Sequence, residues 1–332
     1  MKKISYRITT TPDELREGLF GQIVLFVFEI LPYLHSRSIF PAWDIKSRFY
    51  GTAPDYNVIP GVFDPAYALD ANDGTLEMTL TSLRKDHVSV LGNDWKYLHE
   101  LWRSYFKIPE RITAAADRTG DLSNTLGIHF RGTDKNLSDL DTNPVTQDEF
   151  VVLMKDFLKN HPDITSIFIA TDEYRFVTKV KSAFGGYDII NLGEVSFHLA
   201  NAEDSEKGDR AVLDCLLLSR CKYLLKASSA LSGFAKVLNP DLESYRVSAS
   251  KFFADIPYFP DAYIPKLTTN DKDCDILLKR LFTNDWLENK RAKELYGARF
   301  ATKKRSRLRL LINTTFKWIS YYQKAIINKM RS

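Results

Sequence analysis

Apolar residues at Ile4, Tyr6 and Ile8 alternate with Ser and Arg, the period-two pattern of a short β-strand. Thr11-Pro12-Asp13-Glu14 then reads as a helix start with proline in the first helical position. An apolar run from Leu19 to Leu34 follows, with Gly18 and Gly21 near its beginning. Strand, glycine-bearing turn and buried helix together predict the opening of an α/β layer, although Gly18-Leu19-Phe20-Gly21 also fits a plain loop. Residues 38–75 carry Pro41, Pro54, Pro60 and Pro65 with Gly51, Gly61 and Gly74, which excludes a long regular element. Phe40, Trp43, Phe49, Tyr50, Tyr56, Phe63 and Tyr67 interleave there with Asp44, Asp55 and Asp64. That composition suits either a cleft wall that stacks on sugars or a loop-rich packing layer.

Leu98, Leu101, Trp102 and Tyr105 recur at helical spacing before Pro109. The polar, small-residue segment 110–124 reads as a domain boundary. Beyond it the pattern alternates. Strands are expected at Leu126–Phe130, Ile164–Ala170, Tyr187–Asn191 and Tyr223–Lys226, and helices at Gln147–Asn160, Arg175–Phe184 and Ala211–Cys221. Repeated βα units predict a parallel sheet whose ligands sit at the carboxyl ends of its strands.

A chain of 332 residues, 44% hydrophobic and 27% charged, has material for two cores, which excludes intrinsic disorder, a collagen and a disulfide-stapled miniprotein. Cys215, Cys221 and Cys274 have neither the number nor the spacing of a disulfide framework or a zinc site, so a reducing compartment is expected. Residues 290–332 hold thirteen Lys or Arg against one acid, Glu294. The tail is therefore +12, and with an overall net charge of +4 the other 289 residues are −8. An acidic body with a basic tail argues against a nucleic-acid-binding protein. The start of the chain lacks the apolar core of a secretory signal, and the most apolar run, Ile23–Leu31, is cut by Glu29 and followed by Pro32, so no bilayer-spanning stretch is expected. Together these features lead to the expectation of a cytoplasmic protein.

Three polar clusters fall at the expected strand ends. In His129-Phe130-Arg131-Gly132-Thr133-Asp134-Lys135 a strand opens into a turn dense with ionisable groups. Arg131, a permanent cation with a fork of donors, suits a diphosphate, or pairs with Asp134, while His129 reads as a hydrogen-bonding scaffold. Asp139 and Asp141 follow. Phe168-Ile169-Ala170-Thr171-Asp172-Glu173 ends in two acids that would hold ribose or base donors, or cap the next helix. Asp214 precedes Ala227-Ser228-Ser229-Ala230-Leu231-Ser232, where serine hydroxyls and helix-start N–H groups face an anion. Neither a P-loop nor a GxSxG elbow is present.

HFRGTDK, FIATDE and DCLLLSRCKYLLKASSALS, in that order over residues 125–240, resemble the three peptide motifs of the inverting GDP-fucose-dependent fucosyltransferases: the α-1,6-fucosyltransferases, bacterial nodulation fucosyltransferases, α-1,2-fucosyltransferases and protein O-fucosyltransferases. The resemblance implies an α/β GT-B fold, two Rossmann-like domains facing across a cleft. It suggests an acceptor-side domain at 1–118, a nucleotide-sugar domain at 119–270, and C-terminal helices with the basic tail at 271–332. It further implies that Arg131 binds the β-phosphate, that Asp134 and Lys135 order the motif around the donor, and that His129, Asp172, Glu173, Asp214, Ser228 and Ser229 belong to the donor site. Asp139 stands where the α-1,6 enzymes carry a glutamate base, and Gly132 stands where they carry a second arginine.

The expected chemistry is inverting transfer of fucose from GDP-fucose to a glycan hydroxyl, with Asp139 or Asp141 as base and no metal or other cofactor. Asp139-Leu140-Asp141 and Asp271-Lys272-Asp273 also spell the DxD of metal-dependent transferases. From Arg305 to Met330, Leu308, Ile312, Phe316, Ile319, Tyr322 and Ile326 recur at helical spacing among basic residues. This is an amphipathic helix for an anionic membrane surface, or one that packs back on the body.

Overall fold

The opening alternation becomes β1 (Ser5–Thr9) in the computed structural model, which describes residues 5–11, 15, 18–47, 50, 56–68, 75–89, 91, 94–131, 145–193, 206–248 and 251–254. The apolar run after it is helical throughout. Gly18 precedes a π-helical turn, Leu19–Val24, that passes directly into α1 (Leu25–Ser36), so Gly21 lies inside a helix and not in a loop. The combined Leu19–Ser36 helix is long and apolar enough to cross a membrane by length and composition, which corrects the expectation that no stretch reaches that limit. Packing accounts for its composition: Ile23, Val27, Phe28, Ile30 and Leu31 have no exposed surface. Glu29, the residue that interrupts the run, is met by Arg84 at 2.6 Å.

The proline-rich stretch yields only short strands, β2 (Ala42–Lys46), β3 (Asn57–Ile59) and β4 (Asp64–Pro65). After them come β5 (Thr75–Thr79), α2 (Leu80–His87), α3 (Trp95–Tyr105) and β6 (Phe106–Lys107). The first sheet has the order β3-β2-β1-β5, with β1 parallel to both β2 and β5 and β3 antiparallel at the edge. Trp43, Tyr50 and Phe63 are buried, the packing-layer outcome for those aromatics, while Phe40 is exposed. Segment 110–124, expected as a domain boundary, begins with α4 (Glu110–Asp117). Ile112 and Ala116, four residues apart, give this small-residue helix just enough of a buried face to dock.

The second half follows the expected alternation closely: β7 (Thr125–Phe130), α5 (Gln147–Lys159), β8 (Ser166–Thr171), α6 (Tyr174–Ala183) and β9 (Asp188–Ile190). It continues with α7 (Glu206–Arg220), β10 (Tyr223–Lys226), α8 (Ala230–Leu238), β11 (Glu243–Ser248) and β12 (Lys251–Ala254). Helix α7 starts five residues earlier than its apolar period indicates, because Lys207 and Gly208 are buried in spite of their type. The sheet order is β12-β11-β10-β7-β8-β9, parallel except for β12. Every residue of β7 is buried, as a central parallel strand requires.

One hydrophobic cluster joins the halves. Phe234 of α8 packs 5.4 Å from Phe20 and 4.8 Å from Trp102, ring centroid to centroid, and Phe63 and Phe28 complete the group. Residues 305–330, the expected basic helix, lie outside the described residues.

Candidate donor site

In the six-stranded sheet the chain moves outward from β7 through β8 to β9, then returns to place β10 and β11 on the other side of β7. Ligands of such sheets bind outside the carboxyl ends of the strands where the order reverses, here between β7 and β10. Arg131 directly follows β7, and Ala227-Ser228-Ser229 follow β10. Register pairs Lys226 with His129, and the Ala227 N–H donates to the His129 carbonyl at 2.8 Å, which brings the two strand ends together.

Arg131 Nε lies 3.9 Å from Asp172 Oδ2, ion-pair range but beyond hydrogen-bond reach. Asp172, from the end of β8, thus stands beside the guanidinium. Ser229 is the N-cap of α8, is only 2% exposed, and its side chain makes no capping bond. Its Oγ has no hydrogen-bond partner among the described residues. A buried hydroxyl in that condition costs about 1 to 3 kcal/mol, a cost that an acceptor seated at the start of α8 removes. Helix-start N–H groups favour an anionic acceptor. Ser228 is buried beside it.

His129 faces inward, its Nδ1 2.7 Å from Ser232 Oγ. Burial, with the positive charges of Arg131 and Lys226, pushes its pKa down to about 3, so the imidazole is neutral at physiological pH. Glu173 accepts a hydrogen bond from Gln147 Nε2, and its carboxyl does not cap α6. Burial pushes that carboxyl up, opposed by the Gln147 bond. Asp214 is farther back on α7, where Arg210 Nε meets it at 3.2 Å and Arg210 Nη1 also donates to the Leu192 carbonyl. Burial pushes Asp214 up to about 6 in spite of Arg210. Its visible work is holding Arg210 at the end of β9. Asp134, Lys135, Asp139 and Asp141 lie outside the described residues.

Three features escaped sequence reasoning. Lys226 has no exposed surface and Arg246 only 3%, and register sets Arg246, Lys226 and His129 in one row across β11, β10 and β7. A charged residue closing the apolar strand Tyr223-Leu224-Leu225 was the available signal. Ser232 closes the serine cluster of the third motif, but its contact with His129 had no signal in the sequence. Tyr50, counted only as a cleft-wall aromatic, accepts the Leu19 N–H at 2.6 Å. Burial raises its pKa, with Leu19 and the Arg131 charge opposing, so the phenol stays protonated. Its hydroxyl thus lies at the start of the first helix, within the electrostatic reach of Arg131.

As a chemical device the strand ends combine a fixed cation, a helix N-terminus and a buried hydroxyl, groups that favour an anion. Among the described residues no group of three His, Cys, Asp or Glu side chains is arranged to hold a metal ion.

No protein-family model matches the chain, and no curated protein matches it. Several solved structures do. The chain is similar to the fucosyltransferase NodZ from Bradyrhizobium, at 16% identity over 76% of this chain and 99% of that one, with a TM-score of 0.47. It is similar to a mutant of Arabidopsis thaliana FUT1 in complex with GDP, at 11% identity over 74% of this chain and 71% of that one, with a TM-score of 0.43. It is also similar to POFUT1 in complex with GDP-fucose, at 10% identity over 74% of this chain and 99% of that one, with a TM-score of 0.45.

Proposed function

We propose that the chain is a glycosyltransferase of GT-B type that moves a hexose, fucose from GDP-fucose by the motif resemblance, to a glycan hydroxyl with inversion and without a metal. The observation that carries this reading is the buried, unpartnered Ser229 Oγ at the start of α8, which follows β10, the strand that neighbours β7 and its trailing Arg131 at the switch point. Nucleotide diphosphates are the common ligands of such a crevice.

In this reading Arg131, the α8 N-terminus and the Ser229 hydroxyl hold the β-phosphate, and Asp172 orients Arg131. The bond from sugar C1 to the β-phosphate oxygen breaks as the acceptor oxygen bonds to C1 from the other face. The acceptor proton passes to a carboxylate, Asp139 first and Asp141 second, and the electron pair leaves on the diphosphate. Charge that develops on the leaving oxygen is met by fixed donors, the task a divalent cation performs in metal-dependent transferases. The first half supplies the acceptor side of the cleft. The basic tail holds the enzyme on the inner face of an anionic membrane, near acceptors such as a lipid-linked oligosaccharide or a growing bacterial polysaccharide.

The test is nucleotide release from a panel of GDP-, UDP- and dTDP-sugars with and without EDTA. Turnover of a GDP-sugar that survives EDTA is expected, and Arg131→Ala should weaken GDP binding by roughly 10- to 100-fold, the range for a hydrogen bond to a charged group. Activity abolished by EDTA and restored by Mn²⁺ would sink the metal-free mechanism. Unaltered GDP affinity in Arg131→Ala would sink the site.

A further inference from the structure

Ser232 lies in the first turn of α8, three residues past the N-cap Ser229, and has no exposed surface. Its hydroxyl donates to the Ser229 carbonyl at 3.4 Å and lies 2.7 Å from His129 Nδ1. One small side chain therefore touches both the strand that ends in Arg131 and the turn that presents Ser229. Three other anchors hold α8: Cys215 Sγ of α7 donates to the Leu231 carbonyl at 3.2 Å, Phe234 sits in the aromatic cluster, and the Val237 carbonyl contacts His99 Nδ1 at 2.8 Å. The first ties the opening turn to α7, and the other two fix the middle and end of the helix. At its first turn, the His129 contact is the described side-chain link to β7.

We propose that Ser232 is a positioning residue: through His129 it sets the spacing between Arg131 and the N-terminal turn of α8, so that the guanidinium and the Ser229 hydroxyl close on the same diphosphate. This inference rests on the donor-site reading given above. His129 acts here as a neutral strut, consistent with the burial and the neighbouring cations that keep it uncharged. A strut made of one hydrogen bond is sensitive to which ring nitrogen is present. An asparagine amide reproduces the place of Nδ1, whereas a glutamine amide reproduces that of Nε2.

GDP binding by calorimetry on the full chain separates the possibilities. Ser232→Ala and His129→Gln should each lose about tenfold in affinity, equal to about 1.4 kcal/mol. His129→Asn should stay within about threefold of wild type, and the Ser232→Ala/His129→Gln double variant should be no worse than either single variant, because both remove the same contact. Wild-type binding with full affinity in Ser232→Ala overturns the inference and leaves the donor site standing. Retention by His129→Gln with loss in His129→Asn also overturns it, since that order marks a ring that touches the ligand through Nε2. Absence of GDP binding by the wild type overturns the donor-site reading and this inference with it. If Ser232→Ala does not fold, the Asn and Gln pair decides.

Discussion

His129 is buried and Asp214 half-buried, and they bias the pH dependence of stability in opposite directions. The folded pKa of Asp214, about 6, lies above the ordinary 3.8, so the folded protein keeps a proton that the unfolded chain has lost. That contribution is complete below pH 3.8 and is lost as pH rises through about 6. For His129 the folded value of about 3 lies below the ordinary 6.5, so its contribution is present above pH 6.5 and is lost as pH falls toward 3. Between about pH 4 and 6 the two slopes oppose each other. In Asp214→Asn the opposing Asp214 slope is removed, and urea midpoints should climb with pH across that window more steeply than in the wild type. Equal slopes would show that Asp214 does not hold the proton. At this scale the motif residues Arg131, Asp172 and Ser229 were legible from sequence, because polar residues that interrupt apolar strands stand out. Ser232 and Lys226 were not, since a serine inside a helix and a lysine after a strand are ordinary until their burial is known.

Elements were legible in proportion to how deeply they are buried. The strands β7 and β8 and the helices α5 and α6 announce themselves as apolar runs or stripes, and α5 adds the capping box of Thr146 and Glu149. Helix α4 was missed because two buried positions make a faint stripe. The early start of α7 was missed because its first turn docks by contact, not by hydrophobicity. Gly208 shows the contact: a Cβ added there would come 2.6 Å from Val62 Cγ2 and 3.7 Å from Tyr50 Cβ. Alanine is worth up to about 1 kcal/mol over glycine inside a helix, and overpacking against a stiff β-branched neighbour costs about 1 to 3 kcal/mol. Gly208→Ala should therefore destabilise by up to about 2 kcal/mol in urea unfolding, the difference of those terms, and Val62→Ala in the same chain should recover part of the loss. A more stable Gly208→Ala would mean that α7 does not press on residue 62.

For the molecule as a whole, the two sheets are joined by a common core and by a polar joint. Arg111 of α4 grips both carboxylate oxygens of Asp209, at 2.6 and 2.7 Å, and donates to the Gly61 carbonyl at 2.6 Å. This forked bond ties the first-half turn, the connecting helix and α7 at one point. The basic tail belongs to this scale too, since its proposed work is to place the whole chain on a membrane surface. Deleting residues 303–332 should abolish sedimentation with vesicles rich in anionic lipid while GDP binding is unchanged. Sedimentation equal to that of the full chain would remove the tail as the anchor.

Hydrophobic period, turn residues and charge segregation determined, from sequence alone, the βα alternation of the second half, the clusters at its strand ends and the contrast between acidic body and basic tail. These are local properties, set by neighbours within a few residues. Tertiary structure decided which strand lies beside which, and hence that β7 and β10 flank the reversal. It decided too that Phe234 ties α8 to the first half, and that Ser232, His129 and Ser229 stand within reach of one another. Such facts depend on contacts between residues a hundred positions apart, where the energy of packing, and no local pattern, selects the partner.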